Sequence, residues 1–379
     1  MLANRRVKDD QGKQKPLFPF WEASDNRREF AKVGYDPALP VENGSGGAIL
    51  NLWRGFDREA RRGRCGLMLR HLFRVVCNGN MVHFRYLLAW MAHLVQRPGE
   101  APGSAVVLRS RREGTGKTTV MNWLATILGR HAMLMNTPDQ LLGRFNAHLE
   151  TISFVGLNEL GWAGNKDSEA KLKSNITDPT ITVERKHGGI YSVPNILHIM
   201  ATSNSEWVVP AGNGARRHFV LEVNPSRAGD AVYFKALYHE ADTGGIEAFM
   251  HVLSHVDLAG VSLREVPATE ALREQQERSL PLTSQWALDL AERGIGRAGG
   301  LGSAGKITFG QPVEYRALYD DYVEYAISRG ARPLATGPFG KWLARVGLQE
   351  MRTSSQRQRD LPSADEFAEH IRKDAGVRS

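Results

Sequence analysis

Two adjacent runs of apolar residues recur at helical spacing, Leu69, Leu72 and Val76, then Phe84, Leu87, Leu88, Met91 and Val95, with CNGN at 77–80 between them. The pattern predicts a pair of helices broken by a turn. Pro98, Gly99 and Pro102 then punctuate the chain before SAVVLRS, a short apolar stretch suited to a buried parallel strand. From 104 to 223 the strand-like runs AVVL, ISFVGL, ILHIMATS and HFVLEV alternate with helical patterns, which predicts an α/β domain built on a parallel sheet. The texture changes after about residue 260. A helical stretch over 270–292 is followed by the Gly-rich GIGRAGGLGSAGK and by a segment with helical patterns at 315–327 and 339–346, which reads as a winged-helix-like module.

The two ends of the chain are more polar. Residues 1–47, rich in Pro and Gly, read as an extended arm with Phe18, Phe20 and Trp21 as aromatic anchors, and 351–379 as a loosely held polar tail with one helix at 364–371. The expected organisation is an arm (1–47), a helical region (48–98), an α/β domain (99–260), a helical segment (261–293), a linker (294–306), a winged-helix-like module (307–350) and the tail (351–379).

Composition adds limits. A chain of 379 residues with 42% hydrophobic and 24% charged residues can bury full cores, and its net charge of +8 suits a polyanionic partner. No run approaches the roughly 18 apolar residues of a membrane span and no apolar core follows the N-terminal charges, so the expected location is the cytoplasm, without a membrane partner. Cys65 and Cys77 are too few for a disulfide framework and lack the paired spacing of a structural zinc site.

The strongest chemical signal is EGTGKTT at 113–119, between the strand AVVLRS and the helical run VMNWLATIL. Gly114 and Gly116 let backbone N–H groups around Thr115 turn inward as an anion nest. Lys117 reaches β- and γ-phosphates, the Thr118 hydroxyl ligates Mg²⁺, and Thr119 completes the loop. ATP and Mg²⁺ are the implied ligands. Arg111 stands where the first P-loop glycine is usual. About forty residues on, ISFVGL ends in Asn158 and Glu159, where such ATPases place the carboxylates that hold the metal and polarise water. Glu159 suits the base, and Asn158 puts a neutral amide at the metal position. ILHIMATS ends at Asn204, suited to orienting water, and Arg216 and Arg217 open the next strand as candidate trans fingers. Between these strands ITVERKHGGIYSV reads as a hairpin whose tip, with Arg185, Lys186 and His187, suits phosphate contact, and Lys173 on the preceding helix joins that DNA-facing set.

The ordered set EGTGKTT, GLNEL, the hairpin and MATSN resembles a superfamily 3 helicase with an AAA+ core. NLWRGF at 51–56, WMAHLVQRPG at 90–99, LLGRFNAHLE at 141–150, ELGWAGNKDSEAKLK at 159–173 and SNSEWVVPAGNGARRHFVLEV at 203–223 are similar to the helicase part of phage and prophage primase-helicases related to the poxvirus primase-helicase. The resemblance implies a homo-hexameric ring acting on single-stranded DNA or a replication fork in a bacterial host cell. By position it assigns Lys117, Thr118 and Thr119 to nucleotide and Mg²⁺, Glu159 to the base and Asn204 to the sensor. It further assigns Arg216 or Arg217 to the finger, and Lys186 and His187 to DNA in the pore. The arm is shorter than a primase domain, so a separate primase is the expected partner. Two other readings compete: a degenerate, non-hydrolysing nucleotide- and DNA-binding scaffold, favoured by Arg111 and Asn158, and a P-loop kinase, disfavoured because no acceptor-substrate motif accompanies the loop.

Overall fold

The structure, a computed structural model, describes residues 5–9, 11–39, 49–158, 166–186, 188–204, 217–294, 307–352 and 357–377. Glu159, His187, Arg216 and most of the linker lie outside the described residues. The chain divides into two compact units, Met1–Asp57 and Arg58–Ser379.

The first unit is less irregular than its composition implies. Arg6–Lys8 and Gln14–Pro16 pair antiparallel, and Lys32–Gly34 and Ile49–Asn51 pair parallel. Buried Asn51 pins the turn at Asp36, giving Nδ2–H to Asp36 O at 2.8 Å and accepting from Asp36 N at 3.0 Å, while Trp53 lies edge-on to Tyr35 and Phe56. Phe18, Phe20 and Trp21 are each more than 40% exposed, so the expectation that these rings act as anchors is corrected.

In the second unit five strands form one parallel sheet in the spatial order His218–Glu222, Ala105–Arg109, His198–Ser203, Phe154–Leu157, Ala132–Met135. The α/β expectation with a parallel sheet holds. The inner strands are buried along their whole length, which is why they read as continuous apolar runs rather than as alternation. Gly156 has a packing reason: a Cβ there would meet Leu134 Cδ2 at 2.5 Å. Helix Lys117–Leu128 lays Val120, Met121, Leu124, Ile127 and Leu128 onto the sheet.

Helix Met81–Gln96, capped by Asn80 Oδ1 on the N–H groups of Val82 and His83, docks directly against the sheet. Trp90 Nε1 donates to Ser104 O at 3.2 Å, and His93 Nδ1 lies 2.8 Å from His198 Nε2. The helical region is thus continuous with the sheet core. The expected single helical segment at 261–293 is instead two helices serving different cores. Glu270–Arg278 packs by the edge strand, where Arg109 bridges Glu222 at 2.5 Å and Glu274 at 2.6 Å. Leu282–Arg293, restarted after Pro281, places Trp286 and Leu290 in a separate C-terminal core.

That core joins strand Pro312–Glu314, helices Tyr315–Ser328 and Thr336–Arg345, strands Glu350–Arg352 and Arg357–Asp360, and helix Ala364–Ala375. Arg357–Asp360 is the middle strand of an antiparallel three-stranded sheet. In chain order the two helices are followed by a β-hairpin. Its centre is aromatic: Trp286 meets Tyr322, Phe339 and Trp342, and its Nε1 donates to buried Asp321 at 2.7 Å. The loosely held tail is therefore corrected. Residues 357–377 supply the central strand and a helix that buries Phe367 and Ile371 behind a Ser363–Glu366 capping box. The 3.6-residue spacing of few apolar residues amid many charges hid this in the composition. No described helix is long and apolar enough to cross a membrane.

Candidate functional site

The loop at 110–116 leaves the carboxyl end of strand Ala105–Arg109 and enters helix Lys117–Leu128. Ser110 N donates to Ser203 O at 3.1 Å, tying the start of the loop to the neighbouring strand. Gly114 has φ of 67° and Gly116 of 87°, left-handed values that L side chains resist. At Gly116 there is also no room, because a Cβ would meet His71 Cε1 at 2.6 Å and Phe234 Cε1 at 2.9 Å. Position 111 has no positive φ, so an arginine there does not oppose the backbone turn, and Arg111 is exposed.

Four of the residues singled out in the sequence converge. The Lys117 ammonium, 7% exposed, donates to Asn204 Oδ1 at 2.9 Å and lies 3.4 Å from both Arg112 O and Thr115 Oγ1. Asn158 Oδ1 accepts from Thr118 Oγ1 and from Thr202 Oγ1, each at 3.3 Å. This follows from strand order. Insertion of His198–Ser203 between the P-loop strand and Phe154–Leu157 brings Asn204 beside Lys117 and Asn158 opposite Thr118. These residues line a cavity of about 660 Å³.

The opposite wall of the cavity is aromatic and was not legible in the sequence. Phe234 and Tyr238, one turn apart on helix Ala231–Glu240, face the P-loop, and Tyr238 OH lies 3.2 Å from Thr119 Oγ1. Their i, i+4 spacing marks a helix face but not its target. His71 is buried beside Gly116 with Nδ1 3.0 Å from Tyr233 OH, and burial lowers it to about 4, so it is neutral at physiological pH.

The other predicted residues lie elsewhere. Helix Lys166–Thr177 leads into the hairpin of Thr180–Glu184 and Ile190–Pro194, a separate two-stranded sheet that joins the central strand at its amino end, opposite Asn204. Ile181 and Val183 anchor it in the core with Leu172 and Ile176. Buried Asn146 holds strand Thr180–Glu184 near the turn, donating to Thr182 O at 2.8 Å and accepting from Glu184 N at 2.9 Å. At the tip end Arg185 is paired with Glu150 at 2.9 Å and lies over Tyr191, and Arg185, Lys186 and Lys173 are all exposed. Phe145, 51% exposed, stands beside Arg144, which pairs with Glu184 at 2.7 Å. Arg217 directly precedes the edge strand, and because His218 aligns with Ala105, it stands at the amino end of the sheet. That is roughly 16 Å, about five residues of strand, from the end carrying the chain's own P-loop.

Residues 108–217 match a family of unknown function (DUF5906). Over 210 residues, 54% of the chain, the sequence is 27% identical to a protein described as a DNA primase-polymerase of Nitratiruptor phage NrS-1, and the match takes in 29% of that protein. The chain thus spans under a third of the length of this curated relative. Two solved apo structures of the NrS-1 C-terminal region align with it over 87% of the chain. One has a TM-score of 0.61 at 18% identity over 84% of that region, the other 0.63 at 17% over 85%. The chain is weakly homologous to a phage primase-polymerase and shares the fold of that protein's C-terminal region.

Proposed function

We propose that this chain is an ATP-driven DNA motor of the superfamily 3, AAA+ type, serving replication of a phage or mobile element. The convergence of Lys117, Thr118, Asn158 and Asn204 on one cavity at the carboxyl ends of parallel strands carries this reading. Ligands collect at that end of open α/β sheets, and backbone N–H groups at a helix start favour phosphate. In this reading Lys117 exchanges Asn204 for phosphate oxygens, Asn204 is released to orient water, and Glu159 serves as base. Phe234 and Tyr238 give the apolar wall on which a nucleobase rests. The hydroxyl of Thr118 and the amide oxygen of Asn158 are hard oxygen donors of the kind Mg²⁺ prefers, and they would hold it. A bound Mg²⁺ would neutralise charge on the transferring phosphate.

The position of Arg217, far from its own P-loop, favours action on a neighbouring subunit in a homo-hexamer, with Arg216 beside it in sequence. Lys186 on the hairpin, with His187 and Lys173, would meet the backbone of single-stranded DNA. The phage primase-polymerase relative supports a replication role in a bacterial host. Asn158, in place of a carboxylate, favours the second reading, a scaffold that binds nucleotide and DNA without turnover.

ATP turnover with and without single-stranded DNA separates the two. The motor reading expects DNA-stimulated hydrolysis that Lys117→Ala abolishes while the thermal melt is retained. Absence of turnover in the unmodified chain, with nucleotide still bound, leaves the scaffold.

A further inference from the structure

The C-terminal core carries a second charged surface that the ATP site does not use. Residues 329–359 contain seven Lys or Arg against the single carboxylate of Glu350, whereas residues 307–328 and 360–377 contain three against nine Asp or Glu. Of this stretch, Lys341 on helix Thr336–Arg345 and Arg357 and Arg359 on strand Arg357–Asp360 converge on one groove. Helix Thr336–Arg345 buries Phe339, Trp342 and Leu343 and exposes Thr336, Gly337, Pro338, Lys341, Ala344 and Arg345, the last paired with Asp374 at 3.1 Å. Its outer face carries small residues and the exposed ammonium of Lys341. A groove of about 510 Å³ runs between this helix and the strands, lined by Thr336, Gly340, Lys341, Glu350, Arg357 and Arg359. Arg359, 6% exposed, is fixed at the groove by Leu348 O at 2.9 Å, and its Nε is buried with no hydrogen-bond partner among the described residues. Glu350 lies 3.6 Å from Arg357 and 3.7 Å from Arg359, so a carboxylate occupies the anion position of the groove.

We propose that this module is a duplex-DNA-binding site, separate from the hairpin and independent of ATP. Helix Thr336–Arg345 enters the major groove, which is about 12 Å wide and admits one α-helix. The absence of bulk at Gly337 and Ala344 lets the helix backbone approach the bases closely. One DNA strand lies in the groove beside the helix, its phosphates meeting Lys341 and Arg357 and displacing Glu350 from Arg357. Phosphate oxygens suit this site because they supply repeated negative charge along a line, which a single bound anion or an apolar protein surface does not match.

The test is anisotropy of the full-length chain with a labelled duplex of about 25 bp, and with the single strand of the same length, across a salt series. The double substitution Lys341→Ala/Arg357→Ala is expected to weaken duplex binding at least tenfold and to make the log-log salt slope shallower by about 2, at about 0.9 per phosphate. Its single-strand binding and ATP turnover stay unchanged. Glu350→Gln removes the competing carboxylate and should tighten duplex binding several-fold, a gain that misfolding does not produce. Equal salt slopes for the unmodified chain and the double variant overturn the proposal, as does loss of duplex binding through Lys186→Ala alone. So does failure of the unmodified chain to bind duplex at low salt, an outcome that would turn this face toward a protein partner.

Discussion

Lys117 and Asn204 are 87 positions apart in the chain and meet at 2.9 Å, the ammonium donating to the side-chain amide oxygen. In this arrangement each residue occupies the other's functional group, and in the proposed reading a phosphate would take the ammonium in its place. Asn204→Ala should therefore bind nucleotide within a few-fold of the unmodified chain but turn it over about 10²-fold more slowly, the usual cost of losing one aligned polar group at a reacting centre. Steady-state hydrolysis beside titration with a fluorescent ATP analogue checks this. Full turnover in the variant would remove Asn204 from the chemistry.

Asn158 accepts from two hydroxyls, those of Thr118 and Thr202. A carboxylate accepts the same two bonds and adds negative charge where Mg²⁺ is expected. Asn158→Asp should lower the Mg²⁺ concentration giving half-maximal turnover by several-fold, without loss of stability. If the Mg²⁺ dependence does not move, the metal lies elsewhere.

In the proposed reading the hairpin and the loop beside its tip would make different contacts with a single strand. Lys186 offers a point charge, so Lys186→Ala should make the salt dependence of single-strand binding shallower by about 0.7 per phosphate lost. Phe145 offers an exposed ring, so Phe145→Ala should weaken binding about tenfold, corresponding to base stacking of ~1–3 kcal/mol, with the salt slope unchanged. Identical effects from the two substitutions would contradict this division of roles.

The His93–His198 pair sets a pH limit on stability. His198 Nδ1 lies 3.3 Å from Ile196 O and must donate to it, which leaves Nε2 as acceptor for the Nδ1–H of His93 at 2.8 Å. Both rings are neutral in this arrangement. Burial, and then the charge of Arg97, lowers His93 to about 4, while burial, and then His93, pushes His198 well below the ordinary range. The unfolded chain takes up these protons near pH 6.5 and the folded chain does not. Stability is therefore fully present above that pH and declines from about 6.5 toward about 4, with His93 contributing on the order of 2 kcal/mol of the loss at pH 5 and His198 adding in the same direction. Thermal melts at pH 7.5 and 5 check the direction, and a melting temperature that rises on acidification would contradict it.

Much of the α/β unit and part of its site were readable from the chain alone, because the signals involved are local. Continuous apolar runs specify buried parallel strands, and glycines at 114 and 116 sit where the backbone takes φ values that only glycine adopts easily. The sequence therefore determined the strand–loop–helix that carries Lys117, the hairpin that carries Lys186 and the two helices between 315 and 345. It did not determine what those elements face. The aromatic wall of Phe234 and Tyr238, the burial of His71 beneath Gly116 and the hydrogen bond from Lys117 to Asn204 all join residues far apart in the chain, and no periodicity encodes which helix covers which loop. The tail was misread for a related reason. Phe367 and Ile371 are too few to dominate a charged segment, and only a partner surface, the core around Trp286, turns that narrow apolar stripe into a packed helix. Local propensity and patterning are written residue by residue, whereas strand order and packing partners are selected by the burial of the whole sheet at once.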